Sequence, residues 1–213
     1  TRPVDLDDYR QRLEAQVYRS SMVMRRVFES ARQSKRRIVF AEGEDERVLR
    51  AAQAMTEETD DTPILIGRPD VIASRLERAG LRIRPATDFE VVDPTDDPRY
   101  ADYWGSYHKI MARGGVTPDL AKAVLRTNTT AIAAVMVHRN EADSMICGTF
   151  GEYRWHLNYI TQVLADGGLH PIGALSLVIL DAGPLFIADT HIHIMPTPEQ
   201  ICETVLAAAR HVR

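Results

Sequence analysis

The sequence predicts an α/β fold with a mixed, mostly parallel sheet flanked by helices, and two observations carry that expectation. Short apolar runs at residues 38–41, 64–66, 89–92 and 145–147 alternate with stretches whose apolar residues recur at helical spacing. Further on, the runs 175–180 and 185–188 are joined only by Asp181-Ala182-Gly183-Pro184. So short a connection cannot make a parallel crossover, and that pair is expected to be antiparallel, either within the first sheet or separate from it.

Each element has its own local reason. Leu6, Tyr9, Leu13 and Val17, then Met24, Phe28 and Ala31 after a break at Ser20-Ser21, give a mostly polar helical segment with a narrow apolar stripe. The first strand ends at Glu42-Gly43, and Val48, Ala51, Ala52 and Met55 mark the helix after it. The second strand closes at Gly67-Arg68-Pro69, and its helix ends at Gly80, a residue suited to a C-terminal cap. Asp93-Pro94 ends the third. An aromatic helix (Tyr100, Tyr103, Trp104, Tyr107) stops at Gly114-Gly115, and Thr117-Pro118 restarts a helix as an N-cap followed by proline. Ile132, Val135 and Met136 mark another helix. The run 145–147, read as a buried strand, enters a turn containing Gly148 and Gly151 and then a helix carrying Leu157, Ile160, Val163 and Leu164. Thr197-Pro198-Glu199-Gln200 reads as a capping box opening a last helix through Ile201, Val205 and Val212. That helix reaches Arg213 without a stop signal, so the architecture is expected to be incomplete here.

Composition narrows the function classes. The chain has 213 residues, 45% hydrophobic and 26% charged, with a formal charge of -4. A basic surface for nucleic acid or anionic lipid is not indicated, and no apolar run approaches the length of a membrane span. The opening TRPVDLDDYRQ lacks a signal peptide's apolar core and an early Met, as in a piece of a longer protein. Cys147 and Cys202 each sit in an apolar pattern, which fits free thiols in a reducing cytoplasm.

Several stretches hold candidate chemistry beside a simpler role. Glu44 and Asp45 suit a helix start, although the place beyond a strand's carboxyl end is also where α/β sheets hold ligands. Asp189, His191 and His193 would share a face if they formed a strand, a pattern open to a metal; Pro196 and Pro198 favour a loop and a polar edge. In Arg126–Thr130 the Asn and Thr side chains suit a cap more than a polar ligand. The turn CGTFGEYRWHLNYI joins strand to helix in the manner of a phosphate site, yet presents Glu152, Tyr153, Trp155 and His156.

Taken together, VFAEGEDERVLRAA, PILIGRP, MVHRNEADSMICG and LFIADTHIHIMPTPEQI resemble successive landmarks of the phosphotransacetylases. QVYRSSMVMRRVFESAR and DDPRYADYWGSYHKIMARGGVTP are similar to the version fused to bacterial NADP-dependent malic enzymes. The resemblance implies the isocitrate/isopropylmalate dehydrogenase-like, two-domain phosphotransacetylase fold. Residues 1–36 would connect from a malic enzyme part, 37–141 form the first subdomain and 142–213 begin a second, incomplete one.

By the same resemblance, Glu42, Asp45, Arg47, Arg126, Asn128 and Thr130 are cleft candidates for acetyl-CoA. In active relatives the glycine turn is followed by Ser-Thr and then Arg-Pro. Those pairs fall here on Glu152-Tyr153 and Asn158-Tyr159, which implies an overwritten phosphate site without catalytic residues. The implied function is a non-catalytic regulatory domain of a malic enzyme that decarboxylates malate oxidatively to pyruvate. It would bind acetyl-CoA as effector, join the malic enzyme catalytic domain of its own chain, and assemble with itself as a homo-oligomer. NADP and a divalent metal would belong to the malic enzyme part alone, with no nucleic acid or membrane partner. An active phosphate acetyltransferase and a purely structural oligomerisation module are the alternatives.

Overall fold

The computed structural model describes residues 35–165, 172–180 and 183–212, with 6, 7, 9, 25, 27 and 29–33. These fall into two compact units, one of Ser34–His170 and one of Thr1–Gln33 with Pro171–Arg213.

The first unit is built on strands β1 (Arg37–Phe40), β2 (Thr62–Ile66), β3 (Glu90–Val92) and β4 (Ser144–Ile146), all parallel in the order β3-β2-β1-β4. Helices α1 (Glu46–Glu58), α2 (Pro69–Ala79), α3 (Tyr100–Met111), α4 (Pro118–Thr127), α5 (Thr129–His138) and α6 (Tyr153–Leu164) complete it. Successive strand residues face opposite sides, so the sheet has two cores. Val39, Ile64, Ile66 and Val92 pack with Tyr103 and Tyr107 of α3, Leu125 of α4, and Ile132 and Met136 of α5. Phe40 and Leu65 pack on the other face with Val48 and Leu49 of α1 and Ile72 and Leu76 of α2. This double burial explains why β1 and β2 read as continuous apolar runs rather than alternating ones.

The expected caps are in place. Asp45 accepts from the Arg47 amide, Thr117 from Leu120 and Asn128 from Ala131, each contributing about 1 kcal/mol to its helix. Gly80 ends α2 in the left-handed conformation, φ 65°. Helix α5 is buried from Thr130 to Met136, which explains its weak amphipathic pattern.

Two details depart from the sequence reading. The expected buried strand at 145–147 is the sheet's edge, so Ile146 is 48% exposed, and Cys147 lies outside it. The segment beyond 142 continues the first unit, since β4 pairs with β1 and the unit runs to His170.

In the second unit, β5 (Leu175–Leu180) and β6 (Gly183–Ala188) pair antiparallel in a two-stranded sheet of their own. The separate arrangement left open by the sequence is therefore the observed one, and β6 starts earlier than expected. Helix α7 (Pro198–Val212) opens with the reciprocal capping box, Gln200 Oε1 accepting from the Thr197 amide and Thr197 Oγ1 from that of Gln200. The described N-terminal residues 6, 7, 9, 25, 27 and 29–31 are helical; Leu13, Val17, Met24 and Phe28 lie outside the described residues, as do Asp181 and Ala182. Among the described residues no single helix is long and apolar enough to cross a membrane.

Candidate functional site

Because β1 and β4 are parallel neighbours, the turns leaving their carboxyl ends lie side by side, a position where open α/β sheets bind ligands. The Ala41 amide donates to the Ile146 carbonyl at 2.9 Å and brings the two turns into register. Glu42, only 6% exposed, then accepts the Gly148 amide at 3.1 Å on each carboxylate oxygen. Gly148 has φ 98°, a left-handed conformation that glycine adopts without penalty.

His156, in the first turns of α6, is buried behind this contact. Its Nε2 lies 2.7 Å from the Phe150 carbonyl, which can only accept, so Nε2 carries a proton. In the neutral ring Nδ1 accepts from the Thr130 hydroxyl at 2.8 Å. Gly151 permits the close approach: a Cβ there would stand 3.2 Å from His156 Nε2. Glu42 Oε1 lies 3.9 Å from His156 Nδ1, the same nitrogen that Thr130 engages. A hydroxyl–imidazole–carboxylate relay needs its partners on opposite ring nitrogens, and Thr130 is fully buried besides. The cluster is a tether, not a nucleophile. Cys147 beside it is no better nucleophile, since burial, aided by the Glu42 charge, pushes its thiol up to about 11.

The rim above the cluster is charged. The Arg47 guanidinium donates to both oxygens of Asp45 at 3.0 and 2.8 Å and to the Thr149 carbonyl at 2.7 Å, a second tie between the turns. Its hydrogen bond holds the Asp45 carboxyl down at about 2. Arg68 grips Glu44 in the same bidentate way, at 2.9 Å twice, and lowers that carboxyl also. Arg75 donates to the Glu44 carbonyl. Arg47 and Arg68 remain largely exposed, so their outer N–H edges face solvent.

The structure thus brings Glu42 and Thr130 together in the buried cluster and sets Asp45 and Arg47 on its rim. Asn128 is used as the cap of α5. Arg126 lies over the Tyr100 ring, 5.3 Å from its centroid. Glu152 stands exposed at the start of α6 without a side-chain capping bond, and Tyr153 is 51% exposed. Asn158 is exposed and Tyr159 half-buried, edge-on to Trp155 at 5.3 Å. Arg68 was absent from the expected site, and His156 was expected only as a residue presented by the glycine turn, not as the buried partner of Thr130. The partners of both come from other elements.

The Asp189–His193 stretch is a loop, with φ 61° at Asp189 and 67° at His191, so the strand alternation lapses. His193 Nδ1 is bonded to Asp189 at 2.8 Å. Among the described residues no group of three or more His, Cys, Asp or Glu could hold a metal ion.

A parallel sheet with helices on both faces, carrying its polar cluster at the strand ends, has counterparts of known class. The chain belongs to the phosphate acetyl/butaryl transferase family, whose profile matches residues 22–213. Over its whole length it is 48% identical to an NAD-dependent malic enzyme of Rhizobium meliloti (strain 1021) and 43% identical to an NADP-dependent malic enzyme of Escherichia coli (strain K12). It spans 28% of the length of each, at the C-terminal part. A phosphate acetyltransferase of Nitratidesulfovibrio vulgaris (strain Hildenborough) is 26% identical, over 88% of this chain and 26% of that one. Among solved structures, the EutD phosphotransacetylase from Staphylococcus aureus has the same fold at a TM-score of 0.69 and 20% identity, covering 85% of this chain and 54% of that one.

Proposed function

We propose that the chain is the regulatory, non-catalytic phosphotransacetylase-like domain of an NAD- or NADP-dependent malic enzyme, and that it binds acetyl-CoA without transferring the acetyl group to phosphate. The observation that carries this reading is the exposed set Glu152, Tyr153 and Asn158 at the start of α6, where the resemblance puts Ser-Thr and the arginine of Arg-Pro in active relatives. Exposed Glu152 adds a negative charge at the start of α6, where a phosphate would need cations.

Acetyl-CoA binding is supported by the exposed guanidiniums of Arg47 and Arg68 at the rim. Their inner edges are committed to Asp45 and Glu44, which fixes both heads in place and reduces the entropy lost when an anion docks. Regulation requires that the effector bind two conformations with different affinity. Free Cys147 and Cys202 agree with a reducing cytoplasmic setting. Calorimetric titration of the whole protein with acetyl-CoA tests the reading: saturable heat supports it, and none removes the effector claim.

A second reading, assembly alone, is favoured by the second unit. Leu177, Phe186 and Ile187 of the hairpin and Ile201, Val205 and Leu206 of α7 are all more than one-third exposed. Self-association is part of the proposal in either case. If removal of the domain changes the oligomer measured by light scattering but leaves the response to acetyl-CoA intact, assembly alone is its function.

A further inference from the structure

We propose that the β4–α6 turn is a stacking platform for the adenine ring of the effector, with Trp155 as the residue on which the base lies and Phe150 as a second contact. This deepens the reading above and rests on it. Phe150, Tyr153 and Trp155 are 64, 51 and 42% exposed. Apart from them and Ile146, which leads into the same turn, only Leu120 and Leu164 among the described residues of the first unit are large, apolar and exposed. Aromatic surface is thus gathered at one place, beyond the carboxyl end of a strand, instead of being scattered over the unit.

The platform is held from behind. The Trp155 ring packs edge-on against His156, with centroids 4.8 Å apart, and against Tyr159 at 5.3 Å. His156 is buried and bonded both to Thr130 and to the Phe150 carbonyl, so one imidazole fixes the Phe150 backbone and supports the Trp155 ring. A ring already held in one orientation loses little entropy when a flat base covers its open face. The charges nearby suit an adenine nucleotide better than a second apolar surface. Arg47 donates to the Thr149 carbonyl, next in sequence to Phe150, and its exposed guanidinium can receive the phosphate carried on the ribose. Exposed Glu152 is an acceptor of the kind that the adenine amino group needs. The formal charge of -4 gives no basic track for a nucleic-acid strand, so a single nucleotide is the base-bearing ligand that fits.

The test is calorimetric titration of the whole protein with acetyl-CoA and with acetyl-pantetheine, which carries the same thioester without the adenosine part. The wild type is expected to bind acetyl-CoA more tightly. Trp155→Ala is expected to weaken acetyl-CoA by about tenfold, equivalent to ~1.4 kcal/mol, and to leave acetyl-pantetheine unchanged. Phe150→Ala removes the most exposed of the three side chains and keeps its carbonyl for His156; it is expected to weaken acetyl-CoA alone, and it decides the matter if Trp155→Ala does not fold. Equal affinity of the wild type for the two ligands overturns the proposal, as do folded variants that bind acetyl-CoA as the wild type does or lose both ligands equally. A variant that changes the oligomer seen by light scattering while keeping its acetyl-CoA affinity also overturns it, and assigns the aromatic surface to a second copy of the chain. Unchanged acetyl-CoA binding in the variants leaves the effector reading standing, whereas a wild type that binds neither ligand removes both.

Discussion

The carboxylate of Glu42, at the end of β1, holds the amide of Gly148, at the end of β4, across 106 positions of sequence. With the Ala41–Ile146 and Arg47–Thr149 hydrogen bonds, this contact ties together the turns that leave two neighbouring strands. Replacing it with Glu42→Ala is expected to lower the unfolding free energy by about 1–3 kcal/mol, and Glu42→Gln by less, because the amide oxygen still accepts. Chemical denaturation of the two variants measures the difference; equal losses would show that the hydrogen bond is not what stabilises the turn.

Thr130 and His156 should behave as a unit. Their 2.8 Å bond is buried, so removing either group leaves the other without this partner. Thr130→Val and His156→Gln are each expected to cost about 1–3 kcal/mol, with a coupling of roughly 1 kcal/mol in the double-mutant cycle. Additive losses would contradict the tether.

Much of this architecture was legible in the sequence because its determinants are local. Asp45, Thr117 and Asn128 cap helices through their own side chains, Gly80 ends one through its backbone, and Thr197 with Gln200 forms the box that its spacing implies. The edge position of β4 was not legible: Met145 and Ile146 are as apolar as a central strand, and only the order of pairing exposes them. The candidate site divides in the same way. Glu42, Asp45, Arg47 and Thr130 were expected through the family resemblance, whereas His156 was expected only as one residue of the glycine turn. Its importance comes from Thr130, 26 positions earlier, and from the close approach that Gly151 allows.

Asp45 predicts a pH dependence. Its carboxyl is held by Arg47 at about 2, below the usual value of about 4. A group with a depressed native value stabilises the fold above its unfolded value, and that contribution disappears as the pH falls through the native one. The stability that Asp45 provides should therefore be complete above about pH 4 and lost towards pH 2. Asp45→Asn is expected to flatten the stability profile across this window in acid titration followed by circular dichroism; an unchanged slope would contradict the pairing.

The cysteines should differ in reactivity. Burial pushes the Cys147 thiol up to about 11, while Cys202 is exposed. At pH 8, iodoacetamide is expected to modify Cys202 first, and peptide mass spectrometry should find Cys147 largely untouched until the protein is unfolded. Faster labelling of Cys147 would contradict its burial.

The account turns on whether the domain holds acetyl-CoA without consuming it. Equilibrium dialysis of the whole protein against radiolabelled acetyl-CoA, with inorganic phosphate present and the ligand recovered for chromatography, measures both at once. The expected result is saturable binding with the thioester recovered intact. Absence of binding, or label recovered as acetyl phosphate, would contradict it.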